Sequence, residues 1–184
     1  NYSPNNPFIV KAGNRNNFEL QLSISNADFK NYFFEAGIYV FQMAFDARST
    51  DNTSSATQNT EVSIKVVSLS EITIPPSGQT VNFDFNTPAH YSQGQSKIIH
   101  NQLKLSNNEN FELYVKSGTN FFKKTGIQSD INSNTLQVGI NGNSLVPLST
   151  TPQKILLNGS PVLDQELDIK YTIPANRAQS LISK

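Results

Sequence analysis

The sequence predicts an all-β protein of Ig-like β-sandwich type, and three observations predict it. Apolar and polar residues alternate with a period of two over several short stretches, such as 39–45 and 111–115. Runs of Asn, Gly, Pro, Ser and Asp separate those stretches at short intervals. Only 15% of residues are charged, Phe occurs 12 times and Trp never. Polar uncharged surfaces over aromatic and β-branched interiors belong to extended β proteins, and helix-favouring runs are missing. The expected organisation is one nearly complete sandwich plus the C-terminal part of a preceding one.

The first clear strand on this reading is 18–24, where Phe18, Leu20, Leu22 and Ile24 alternate with Glu19, Gln21 and Ser23. A shorter apolar piece, 8–10, precedes it across the turn residues 13–17. In 26–36 the spacing of Phe29, Phe33 and Phe34 suits a helical turn. Gly37 then opens a strand over 38–46, with Tyr39, Phe41, Met43 and Phe45 on the face expected to be buried. Residues 48–59 hold no large apolar side chain and read as a linker. The expected division is therefore 1–47 for the first domain's last strands, 48–59 for the linker and 60–184 for the sandwich.

Within 60–184, Val62, Ile64 and Val66 alternate with Ser63 and Lys65, and Val81, Phe83 and Phe85 with Asn82 and Asp84. Ile99, Leu103 and Leu105 share one side of the next strand, with His100 and Gln102 on its outer side. Residues 107–110 are turn-forming, so 103–105 and 111–115 are expected to make a hairpin. Phe111, Leu113 and Val115 point inward. Leu136, Val138 and Ile140 run to a type I′ turn candidate at Asn141, Gly142 and Asn143, from which Val146 and Leu148 return. Residues 155–157 are short and apolar, and Leu167, Ile169, Tyr171 and Ile173 mark the last clear strand.

The order Pro, short apolar strand, Gly turn, alternating strand occurs twice, at 7–24 and at 152–173. Internal similarity of this kind is the signature of repeats. After Ile24 the chain reaches Gly37 and the strand 38–46, but nothing equivalent follows Ile173. On this reading the sandwich 60–184 lacks its last strand, and the exposed backbone edge needs a filler. The candidates are Ile38, Tyr39, Val40, Phe41, Met43 and Phe45, from the same chain or another copy, through β-strand complementation. A continuation of the polypeptide is the plainer alternative.

The stretch 103–116, Leu-Lys-Leu-Ser-Asn-Asn-Glu-Asn-Phe-Glu-Leu-Tyr-Val-Lys, resembles a hairpin of Ig-like modules in bacterial, Bacteroidetes-type cell-surface proteins. The closing Gly37-Ile38-Tyr39-Val40 is similar to their Gly-aromatic strand. The aromatic position, usually Trp, is Phe111 here. The resemblance implies a secreted, extracellular or cell-surface structural protein, a repeat module of an adhesin, fimbria or other filament.

Composition and chemistry narrow the function classes. Fourteen basic residues balance fourteen acidic ones, which argues against nucleic acid and anionic membranes as partners. No apolar run is long enough for a transmembrane helix, and the N-terminus lacks a signal-peptide pattern. Cys is absent, which excludes a disulfide scaffold. His90 and His100 have no second metal-binding partner in view, so no metal, cofactor or catalytic residue is expected. Residues 130–134 begin like a calcium loop but lack its Gly and Glu. Asp84, Glu112 and Asp168 read as solvated strand faces. Asn52 and Asn158 head glycosylation sequons. Tyr91 and Tyr114 are the aromatic side chains suited to stacking on surface glycans. The expectation is a non-catalytic structural or adhesive module whose partners are other copies or neighbouring repeats. A carbohydrate-binding module of a secreted protein is the alternative.

Overall fold

The structure is a computed structural model that describes residues 21–32, 34–49, 51 and 53–182. The chain divides into two compact units, Asn1–Tyr32 and Phe33–Lys184. In the first, α1 (Asn26–Tyr32) realises the expected helical turn. Ser25 starts it: its Oγ accepts the Asp28 N–H at 3.1 Å and donates to the Asp28 carboxylate at 2.7 Å. The first bond is the N-cap half of a capping box; the second joins the two side chains. Residues 21–24, expected as the end of a strand, are not strand. The rest of that strand and 8–10 lie outside the described residues.

The second unit begins with β1 (Gly37–Arg48), β2 (Ser55–Val66) and β3 (Ser70–Thr73). After α2 (Pro88–Gln93) come β4 (Gly94–Asn107), β5 (Phe111–Val115), β6 (Phe121–Lys124) and β7 (Ile127–Asn132). Then follow β8 (Gln137–Ile140), β9 (Val146–Pro147), β10 (Gln153–Gly159), β11 (Val162–Pro174) and α3 (Ala175–Gln179). Strand makes up 52% of the structure, which bears out the all-β class. The largest sheet is antiparallel, in the order β3-β4-β11-β8-β9. Among the described residues the other pairs are β1–β2, β5–β10 and β6–β7.

The core is small and comes from alternate positions of the long strands. Leu105, Val138, Ile169 and Ile173 are buried from the five-stranded sheet, Leu113 and Ile155 from the β5–β10 pair, and Ala178 from α3. The alternation expected for 111–115 is realised: Leu113 is buried, its flanking apolar residues half-buried, and Glu112 and Tyr114 exposed. The aromatic at 111 packs flat on Gly159, its register partner; a Cβ there would lie 2.5 Å from the ring. A glycine opposite an aromatic is what makes room for the ring.

Four expectations are corrected. The segments 103–105 and 111–115 do not pair with each other. β4 pairs with β3 and β11, and β5 pairs with β10. Residues 107–110 carry the chain from one sheet to the other, because Asn108 turns inward and is 3% exposed. Next, 48–59 forms the end of β1, a turn and the start of β2. The turn is closed by the Ser49 N–H to the Ser54 C=O (2.9 Å) and the Ser54 N–H to Ser49 Oγ (3.0 Å). Its Ser, Thr and Asp content has the same look in a linker and in a turn. Third, the turn after β8 has positive φ only at Gly142 (93°), the pattern of a type II turn and not type I′.

Last, Gln102 points inward and is 4% exposed. Leu167 pairs with Leu103 but Ile169 with Ile99, so three residues of β4 oppose Asp168 alone. Asn101 takes a φ of 51° within this bulge, and the extra residues change which side chains face the core. Inside, Gln102 Nε2 donates to the Gly78 C=O at 2.7 Å.

Candidate assembly surface

β1 and β2 form a ribbon of twelve residues a side, in register from Gly37–Val66 to Arg48–Ser55. β1 is rich in aromatic and β-branched residues, and Val62, Ile64 and Val66 of β2 are half-buried as the alternation predicts. Phe41 faces Val62 and Tyr39 faces Ile64 across the ribbon. Toward the closed end, Met43 and Phe45 face the polar Thr60 and Gln58. On the other face, Gln42 Nε2 donates to the Glu61 carboxylate at 2.9 Å, and Thr57 donates to Asp46.

The sequence expectation placed Tyr39, Phe41, Met43 and Phe45 on a buried face. Tyr39 and Met43 are half-buried, but Phe41 and Phe45 are 45% and 39% exposed. On the opposite face Ile38 and Val40 are 67% and 51% exposed. β2 occupies one edge of β1, so β1 reaches any other sheet as the edge of a ribbon and not as a single free strand.

Asn108 fixes the base of this ribbon. Its Nδ2 donates to the Val67 C=O at 2.8 Å, and its Oδ1 accepts the Leu69 N–H at 2.7 Å. Its own N–H donates to the Leu69 C=O, and its C=O accepts the Ala36 N–H, both at 3.2 Å. One residue thereby holds the chain just before β1 and just after β2.

A second feature lies at 81–86. The side chains of Val81, Phe83 and Phe85 are half-buried and those between them exposed, as expected of a strand. Yet no ladder forms here among the described residues. Side chains reach two of its carbonyls: Gln95 Nε2 donates to Asp84 C=O (2.6 Å) and Tyr91 OH to Phe85 C=O (3.1 Å). Beside it is an open groove of about 810 Å3 lined by Phe85, Pro88, Tyr91, Gln179 and Ile182, among others. Pro88 opens α2 at a position where its missing N–H does no harm. The Tyr91 ring tilts against Phe85 at 5.2 Å between centroids.

The two glycan-stacking candidates therefore have different surroundings. Tyr91 is half-buried on α2. Tyr114 on β5 is 49% exposed, but Lys154 Nζ sits over its ring at 5.6 Å and bonds Glu112 at 2.7 Å. Tyr114 OH donates to the same carboxylate at 2.5 Å. Bonds from Lys154 first, then Tyr114, lower the Glu112 pKa, and Glu112 raises that of Lys154.

The remaining polar candidates are structural neighbours. His90 lies on α2, its ring edge-on to Phe85. His100 Nδ1 lies 2.8 Å from Asp168 Oδ2, while Asp168 Oδ1 accepts the Asn101 N–H at 2.9 Å. The Asn101 bond first, and His100 second, hold the Asp168 carboxyl below its ordinary pKa. Asp168 thus plugs the bulge, a role that alternation could not reveal. The start of the calcium-like stretch lies in β7, and Asn132 caps the turn Ser133–Thr135 through the Asn134 N–H. Among the described residues no group of three His, Asp or Glu side chains is placed to hold a metal ion, and no helix is long and apolar enough to cross a membrane. Asn158 is exposed with φ 56°, and Asn52 lies outside the described residues.

In comparisons with known proteins, no protein family, curated protein or solved structure matches this chain.

Proposed function

We propose that this chain is a non-catalytic structural module of an extracellular or cell-surface filament or repetitive adhesin, assembled by β-strand addition through the β1–β2 ribbon. The observation that carries this reading is the exposure of Ile38, Val40, Phe41 and Phe45 on a ribbon that is two-stranded among the described residues. An isolated two-stranded ribbon is marginal in water and gains from further pairing. A long apolar edge is a template for another chain unless it is shielded. The low charge, the absence of Cys and the similarity of Gly37-Ile38-Tyr39-Val40 to the Gly-aromatic strand of bacterial surface modules supply the setting.

The Ig-like sandwich belongs to the same proposal. Its two layers on this reading are the five-stranded sheet, with buried Leu105, Val138 and Ile169, and the β5–β10 pair, with buried Leu113 and Ile155. A glycan-binding role has less support, since Lys154 covers the Tyr114 ring.

Native mass spectrometry across a concentration series tests the reading, comparing the protein with a Phe41→Lys, Phe45→Lys double variant. Concentration-dependent multimers are expected from the former and a monomer from the latter. Both side chains are exposed, so the far-UV circular dichroism of the variant should match. A protein that stays monomeric to its solubility limit sinks the proposal.

A further inference from the structure

We propose that Asn141 is a site of self-modification: its side chain loses ammonia to attack by the Gly142 backbone nitrogen, leaving aspartate and isoaspartate at the tip of the β8–β9 turn. The sequence holds two Asn-Gly pairs, 141–142 and 158–159. In such a pair the attacking nitrogen belongs to a residue with no side chain to shield it or restrain its backbone. Asn141 and Asn158 are both exposed, so exposure does not separate them. What separates them is the backbone that follows each.

At 141–142 the reacting groups are accessible. Neither the Asn141 side chain nor the Gly142 N–H makes a hydrogen bond among the described residues. A Cβ built on Gly142 meets nothing within 4 Å. Two bonds frame the turn, from the Asn141 N–H to the Asp168 C=O (2.8 Å) and from the Asn143 N–H to the Ile140 C=O (3.0 Å). Neither uses the peptide between Asn141 and Gly142, so that peptide can swing and bring its nitrogen onto the side-chain carbon. At 158–159 the same motion is blocked. Gly159 pairs with Phe111 in the β5–β10 ladder, and the Phe111 ring lies 2.5 Å from where a Cβ would stand. Turning that peptide drives Gly159 against the ring or out of the ladder.

The step needs no reagent but water. The Gly142 nitrogen gives its proton to solvent and bonds to Asn141 Cγ. The Cγ–Nδ2 bond breaks, and the amide leaves as ammonia. Water then opens the succinimide: at Cγ it yields aspartate, and at the main-chain carbonyl it yields isoaspartate. Either product adds one carboxylate to the fourteen acidic residues that balance fourteen basic ones. Isoaspartate also lengthens the main chain of a close-packed turn, where a Cβ on Gly139 would lie 2.8 Å from the Ser144 carbonyl oxygen. The element disturbed is β9, at the edge of the five-stranded sheet.

Peptide mapping by mass spectrometry tests this on the native chain, held warm at mildly alkaline pH and sampled over days. Asn141 should gain about 1 Da, with isoaspartate and aspartate both present. Asn158 should react slower by about tenfold or more, since it waits on local opening. In urea the two rates should converge, because no fold remains to distinguish the pairs. Equal rates in the native chain, or a gap that survives in urea, overturn the proposal. A product that is aspartate alone overturns the attack by Gly142, since direct hydrolysis gives no isoaspartate. Asn141→Gln, whose ring would be one atom larger, should remove the acidic species seen by isoelectric focusing; its persistence at the same rate also overturns the assignment.

Discussion

Replacing Asn108 with Ala should detach the base of the ribbon from the sheet. The substitution deletes two side-chain hydrogen bonds, to the Val67 C=O and from the Leu69 N–H, and leaves the two backbone bonds in place. Val67 and Leu69 are 66% and 42% exposed, so water can satisfy the groups that are freed. The net value of a hydrogen bond, about 1 kcal/mol each, therefore applies instead of the larger penalty for an unsatisfied buried group. The expected loss is about 2 kcal/mol. With a urea slope of about 2 kcal/mol per molar, the unfolding midpoint falls by roughly 1 M. Far-UV circular dichroism follows the transition, and hydrogen exchange in dilute monomer should show faster amides in β1 and β2 than in β4 and β11. Asn108→Asp keeps the acceptor for Leu69 but places a carboxylate against the Val67 carbonyl, so it should be at least as damaging. A loss under about 0.5 kcal/mol, with ribbon exchange unchanged, would refute the reasoning.

Two further outcomes are expected. Gly94→Ala puts a Cβ 2.3 Å from the Ile173 carbonyl oxygen at a φ of 75°; the strain of about 3 kcal/mol corresponds to a melting temperature lower by roughly 6–12 °C, and a fall under about 2 °C would count against it. Asp168 has a folded-state pKa below its unfolded value, so its stabilisation is present above the ordinary carboxylate pKa, near 4, and is lost as pH falls through the depressed value. The urea midpoint of the native protein should exceed that of Asp168→Asn at about pH 6, and the gap should narrow at about pH 3; a gap independent of pH would dismiss the carboxylate's role.

Much of the fold was legible because burial imposes a period of two on the residues that experience it. Phe111, Leu113 and Val115, or Val62, Ile64 and Val66, are read correctly one strand at a time. Pairing is a different matter. β5 meets β10 across about forty residues, and nothing in the alternation of either strand names the other. Adjacency in sequence favoured a β4–β5 hairpin, but Asn108 is spent on the ribbon's base. The bulge at 100–102 shifted Gln102 inward because inserted residues change the phase that the alternation assumes. At 81–86 the alternation was right but no ladder forms among the described residues, since side-chain burial and backbone pairing are separate requirements. Of the assembly surface, the apolar residues of β1 could be picked from the sequence. That β2 already holds one edge of β1 could not, because its polar first half, 55–61, carries no inward face.

The grip of Asn108 also has a mechanical consequence. The ribbon is closed at its far end, so tension applied there along the strands travels down both legs together. It converges on Ala36, Val67 and Leu69, all bonded to one residue. Those bonds share the load in parallel, and they let go as a group or not at all. Under force the ribbon's root would therefore behave as a latch with a threshold, yielding abruptly where a row of bonds loaded in series would unzip one by one.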